Sequence, residues 1–188
     1  TARVFMLIAF TATAKASFPI GVDAVSSATP LVQIGTQDAP KLIDLFLGKN
    51  GGAIGETSVI ALLVGGIYLI SRKVITWHVP VSFIGSVFIL SYLIDGFSLI
   101  NALYWILSGG LFIGAIFMAT DYVTSPTTPL GKIIFGFGAG LITVLIRFYG
   151  NYPEGVSFAI LLMNILCPYI SSLTQRKLFG GKCYEKSH

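Results

Sequence analysis

Two serines and a threonine stand directly before a proline in VDAVSSATPL, residues 22–31. A hydroxyl placed this way has two uses. Thr29 can cap a helix that Pro30 starts, its side chain accepting a hydrogen bond from a backbone amide while the serines form a local turn. The same geometry puts a nucleophilic hydroxyl at the positive end of a helix, where backbone amides and the helix dipole would hold a phosphate. Residue types alone leave both uses open.

Other polar residues in this apolar chain are fewer and more widely spread. Glu56, Thr57 and Ser58 follow the glycine-rich turn GKNGGAIGETS, which includes Gly55. They read as a helix start with an acid at the positive dipole end, or as part of an ion path. Asp121 precedes Pro126 and Pro129 and suits a turn. Asp95 and Glu154 read as solvated surface acids. Asn164 lies inside an apolar run, where its amide needs a partner on a neighbouring helix or on a ligand. Arg147 beside Phe148, Tyr149 and Tyr152 reads as an interfacial anchor, and His78 as a marker of the opposite interface rather than a metal ligand. Cys167 and Cys183 form no CxxC pair, so neither a disulfide framework nor a cluster site is expected. No paired His or carboxylate spacing suggests a metal-activated water or a hydrolytic triad.

The elements that must position these residues belong to a membrane protein. Of 188 residues, 54% are hydrophobic and 11% charged, far below the roughly 25% charged of an ordinary soluble domain. The fold class expected is an all-α polytopic membrane protein. Five apolar runs, at about 53–70, 79–94, 99–119, 133–149 and 156–173, approach the ~20 residues that cross a bilayer. A shorter run at 4–12 is expected to be the end of a further transmembrane helix, with the chain beginning inside a larger protein. Gly110 with Gly114, and Gly136 with Gly140, have the GxxxG spacing that lets helices approach closely in lipid. Ser108, Gly109 and Gly110 fall at the middle of the third run and are expected to break it into half-helices, a device of binding sites in transport folds.

Placement of Lys and Arg sets the expected orientation. With the end of the first full span inside, Arg72, Lys73, Lys132, Arg176, Lys177, Lys182 and Lys186 are inner; Lys15, Lys41, Lys49 and Arg147 are outer. The formal charge of +4 is therefore a topology signal, not one for nucleic acid. The expected organisation is a helix end over 1–16, an outer loop with a short interfacial helix over 17–52, a five-helix membrane domain over 53–175 and an inner basic tail over 176–188. Thr29 falls outside.

Asp23, Ser26, Ser27, Ala28 and Thr29 resemble the D-x-x-[ST]-[GS]-A-T sequence at which bacterial flavin transferases attach FMN to a threonine through a phosphoester. GGAIGETS (51–58), DYVTSPTTPLGKIIFG (121–136), LITVLIR (141–147) and YPEGVSFAILLMN (152–164) resemble the membrane subunit shared by the Rnf complex and the sodium-pumping NADH:quinone reductase. TSPTTP, GNYPEG and the short basic tail look closer to Rnf. The resemblance covers nearly the whole chain and lacks an amino-terminal half. It implies covalent FMN on Thr29 as an electron relay, fed by an outer flavoprotein subunit within a multi-subunit assembly in the inner cell membrane. Flavin transferases of this kind work outside, which agrees with the side that the charge bias gives Thr29. The resemblance further implies a flavin pocket or ion path at Gly55, Glu56 and Thr57, cation handling or a second, non-covalent flavin such as riboflavin near Asp121, and a phosphate partner in Arg147.

Two function classes follow. The first is a membrane electron-transfer subunit of a sodium- or proton-translocating ferredoxin:NAD oxidoreductase, or of the related quinone reductase, without complete activity of its own because NAD-binding and iron–sulfur motifs are lacking. The second is a cofactor-free channel or secondary transporter.

Overall fold

Short capping signals punctuate the apolar runs and set where helices begin and end. The computed structural model describes residues 46–47, 58–122, 124–150 and 155–175. It holds α1 (Val59–Ser71), α2 (His78–Ile94), α3 (Leu99–Leu107), α4 (Leu111–Ile113, running into a π-helical turn over Gly114–Met118), α5 (Pro129–Tyr149) and α6 (Val156–Thr174). No strand occurs among the described residues. Phe46 and Leu47, in the expected interfacial helix, are helical and exposed.

Ser58 caps α1, its hydroxyl accepting from the Ala61 amide at 3.4 Å. The helix ends on Arg72, after which Lys73 turns left-handed (φ 56). Its amide reaches Ile70 O and the next amide, Val74, reaches Leu69 O, the paired bonds that satisfy the last carbonyls of a helix. The end of α2 uses the same device, with Gly96 at φ 68 and the Phe97 amide on Tyr92 O. There the Phe97 and Tyr92 rings meet edge to face at 5.3 Å. α5 starts at Pro129, four residues before the expected span, because Thr128 caps it by accepting from the Gly131 amide at 3.1 Å. The Thr128 hydroxyl also meets Thr174 Oγ1 at 2.6 Å, tying the start of α5 to the end of α6.

α5 and α6 are each long and apolar enough to cross a membrane, and α3 with the α4 segment makes a third if the bent pair is one span. α1, at 13 residues, and α2, at 17, are apolar but shorter. The described part is thus all-helical and polytopic.

Packing centres on α5, which runs against α2 on one side and α6 on the other. Gly136 and Gly140 face α2: a Cβ on Gly136 would lie 2.9 Å from Val79 O, and one on Gly140 would overlap Ser86 Oγ. Only glycine permits that approach, as the GxxxG spacing predicts. Ser82 crosses the seam to donate to Ile133 O at 2.8 Å. Phe83, Val87, Leu111, Ala115, Phe135 and Val144 fill the interior around it. Gly114, by contrast, packs toward α6, where an added Cβ would meet Val156 Cγ1.

Candidate functional site

The third apolar run breaks where the sequence predicts. α3 ends at Ser108, Gly109 takes φ 72, and the chain restarts at Leu111 with a bend of 65°. Breaking a helix inside an apolar bundle strips its last carbonyls of their intrahelical partners. Those carbonyls also carry the negative end of the helix dipole. A cation is the natural partner, and Arg147 supplies it. From the last turn of α5 its Nη1 donates to Trp105 O at 2.6 Å and its Nη2 to Ser108 O at 3.4 Å. Arg147 is only 7% exposed, so these charge-assisted bonds form away from water, where they count most.

A small polar and aromatic group surrounds that contact. The Trp105 ring lies 4.6 Å from Phe148 between centroids and donates from Nε1 to Asp95 Oδ2 at 3.4 Å. Asp95 is thereby tied to α3 at the end of α2 rather than freely solvated. Ser108 is 1% exposed, and its hydroxyl finds no partner among the described residues. Arg147, expected as an interfacial anchor or phosphate partner, is buried and clamps the broken helix. Its guanidinium already faces two carbonyls, which leaves the surface aromatics next to it to meet the interface.

Asp121 sits just after the π-helical segment, exposed, with its Oδ2 accepting from Thr124 Oγ1 at 3.4 Å and its carbonyl accepting from the Ser125 amide at 3.0 Å. This is the turn expected of it. The following Tyr122 hydroxyl donates to Val74 O, closing the α1–α2 turn against the loop before α5. The Asn164 side-chain oxygen is buried and without a partner among the described residues, one turn before Pro168, whose missing N–H also leaves the helix unbonded there. The His78 ring stacks on Trp77 at 4.2 Å, with Nδ1 buried and, among the described residues, unpartnered. Asp23, Ser26, Ser27, Ala28, Thr29, Gly55, Glu56 and Thr57 lie outside the described residues; Ser58, next in sequence, is the cap of α1.

An apolar groove of about 540 Å³ opens between α1, α2 and the α4 segment. Among the described residues no polar side chain lines it, so they offer nothing there to the ring nitrogens and carbonyls of a flavin, which need hydrogen-bond partners when buried.

Sequence reasoning missed the Arg147 clamp. Its signal was present in register: Gly136, Gly140, Thr143 and Arg147 recur at helical spacing and are all buried on α5. Such a stripe of small and polar residues ending in an arginine marks a face turned inward, toward whatever needs that charge.

Comparison with known proteins agrees with the family resemblance. The chain is 42% identical over 186 residues to a subunit of the Na(+)-translocating ferredoxin:NAD(+) oxidoreductase complex of Acetobacterium woodii, covering 95% of this chain and 57% of the relative. It is 47% identical over 176 residues to the corresponding subunit of the proton-translocating ferredoxin:NAD(+) oxidoreductase complex of Clostridium ljungdahlii, covering 86% and 53%. A subunit of the ion-translocating oxidoreductase complex of Yersinia pseudotuberculosis is 40% identical over 176 residues, covering 89% and 50%. The chain spans about half the length of these curated relatives. The match to the NQR2, RnfD, RnfE family runs over residues 1–180, and the chain belongs to that family of membrane proteins.

Proposed function

We propose that this chain is a membrane electron-transfer part of an ion-translocating ferredoxin:NAD oxidoreductase complex, and that Thr29 carries FMN through a phosphoester. The observation that carries the first half is the match to subunits of that name across nearly the whole chain. Those names favour the ferredoxin:NAD complex over the quinone reductase. For the second half, support comes from Asp23, Ser26, Ser27, Ala28 and Thr29, in the order that a flavin transferase reads. In such a linkage the Thr29 oxygen attacks the flavin-side phosphorus of a flavin dinucleotide and gives up its proton, while the P–O–P bond breaks and the nucleotide monophosphate leaves. A bound flavin supplies a relay that accepts electrons one at a time, and a covalent tether keeps it in place between turnovers.

Thr128 shows what the same Thr-Pro pair does when it only caps. Its hydroxyl is held by the Gly131 amide and Thr174 Oγ1, and no D-x-x-S-S-A stretch precedes it. Thr29 differs in that preceding sequence. In the proposed topology five spans cross the membrane, Arg72, Lys73 and Lys132 face the cytoplasm and Thr29 faces out, beside a partner flavoprotein. Glu56 and Asp121 are the proposed carboxylates of an ion path.

The test is the mass of the tryptic peptide holding Thr29 from protein made together with a flavin transferase. An FMN adduct and a yellow-green fluorescent band on a denaturing gel are expected, both lost in Thr29→Ala. An unmodified peptide from the active complex would remove the covalent flavin and leave a channel or transporter as the better reading.

A further inference from the structure

The apolar groove runs along α1 and α2 and ends at the turn that joins them. Leu63, Ile67 and Ile70 form one wall, Val81 and Ile84 the other, with Ile116 beneath. From Leu63 to Ile70 is seven residues, about 10 Å of helix, against about 15 Å for the hydrocarbon depth of one leaflet. A purely apolar, open channel of that length suits an alkyl chain. Beyond Ile70 the chemistry changes abruptly. Arg72 and Lys73 are exposed, and Trp77, 55% exposed, precedes the groove-lining Pro80 by three residues.

Basic and tryptophan side chains at the end of an apolar channel match the headgroup level of a bilayer. Lys73 adds an independent sign. Its φ of 56 is one that glycine adopts without strain, yet the chain holds a lysine there, on a backbone fixed by two amide bonds to α1. We propose that the α1–α2 groove seats an acyl chain of an anionic phospholipid whose headgroup phosphate is held by Arg72 and Lys73. The site takes charge from the turn and shape from the groove. It depends on neither the flavin nor the electron-transfer reading.

Gly85 makes the groove testable, because a Cβ built on it meets nothing within 4 Å, so a side chain there enters the channel without displacing a neighbour. Lys73→Gly removes a charge while relaxing the backbone. The experiment uses the full-length protein in its complex, in mild detergent, with phosphatidylglycerol or phosphatidylcholine of identical chains, and counts retained lipids by native mass spectrometry. Wild type should retain phosphatidylglycerol roughly tenfold better. Arg72→Gln with Lys73→Gly should bring that ratio near one without lowering the melting temperature. Gly85→Leu should reduce retention of both lipids. Equal retention by the wild type, or a preference that survives the double charge variant, overturns the proposal. So does a Gly85→Leu protein that loses a partner subunit or melts early while keeping its lipid, since the groove would then hold a protein helix.

Discussion

The seam between α2 and α5 and the break between α3 and α4 both place polar atoms inside an apolar bundle, yet they solve the problem in opposite ways. In the seam each hydroxyl is satisfied at short range: Ser82 on Ile133 O, Ser86 on Phe83 O and Thr143 on Ala139 O, each at 2.8 Å. Glycines close the remaining space. At the break a single side chain from another helix holds two carbonyls, and the Ser108 hydroxyl has no partner among the described residues. The seam is a jammed contact with many small supports, whereas the break is a joint with one large one. Damage to the seam should therefore scale with volume, and damage to the break with charge.

Volume at the seam has the largest expected effect. Gly140→Leu drives a branched side chain into Ser86 and the Phe83 carbonyl, which lies 3.1 Å from the first added carbon. A loss of more than about 4 kcal/mol, enough to prevent stable folding, is expected, read as loss of the thermal transition in detergent. Gly140→Ala should cost about 1–3 kcal/mol, and Ser86→Gly in the same protein should return most of it. Failure of that rescue would mean that the seam is not the close contact its geometry indicates.

Charge at the break comes next. Arg147→Ala leaves Trp105 O and Ser108 O without their donor, at a cost of about 2–4 kcal/mol. Arg147→Lys should recover about half, because one ammonium cannot span both carbonyls as the guanidinium does. A cysteine at Ser108, unreactive to a thiol reagent with Arg147 in place, should become reactive in Arg147→Ala. Equal losses for Ala and Lys would instead make the arginine a packing element.

The two regions are also unequally legible in the sequence. Ser108-Gly109-Gly110 announces a break locally, because two adjacent glycines after a serine weaken a helix in the middle of an apolar run. The GxxxG pair at Gly136 and Gly140 likewise carries its meaning in its spacing. Arg147 does not: its carbonyl partners lie 39 and 42 residues away, and its immediate neighbours, Phe148 and Tyr149, point to a membrane interface. The helical register of Gly136, Gly140, Thr143 and Arg147 marks the face as inward, but it does not name the carbonyls that the arginine meets. The start of α5 departs from the expected span for a different reason. Hydropathy weighs Pro129, Gly131 and Lys132 against a span, whereas the cap at Thr128 and the fixed φ of Pro129 set the helix start. The attachment motif is legible in residue order alone, and its residues lie outside the described ones.

The smallest expected effect separates the two regions most sharply. Ser108→Ala deletes a hydroxyl that is buried without a partner among the described residues, so the protein loses no hydrogen bond and no longer has to dehydrate that group. Stability should stay within about 0.5 kcal/mol of wild type or rise by up to about 1 kcal/mol. Ser82→Ala in the seam removes a group of the same size together with the bond it gives to Ile133 O, a net loss that should cost about 1 kcal/mol. Both are serine-to-alanine changes in the same bundle, so side-chain volume cancels between them, while the helix propensity gained by alanine counts only at Ser82, inside α2. A Ser108→Ala loss as large as that of Ser82→Ala would show that the Ser108 hydroxyl has a partner in the assembled complex. The break would then be a site that binds something, in place of a joint held by Arg147 alone.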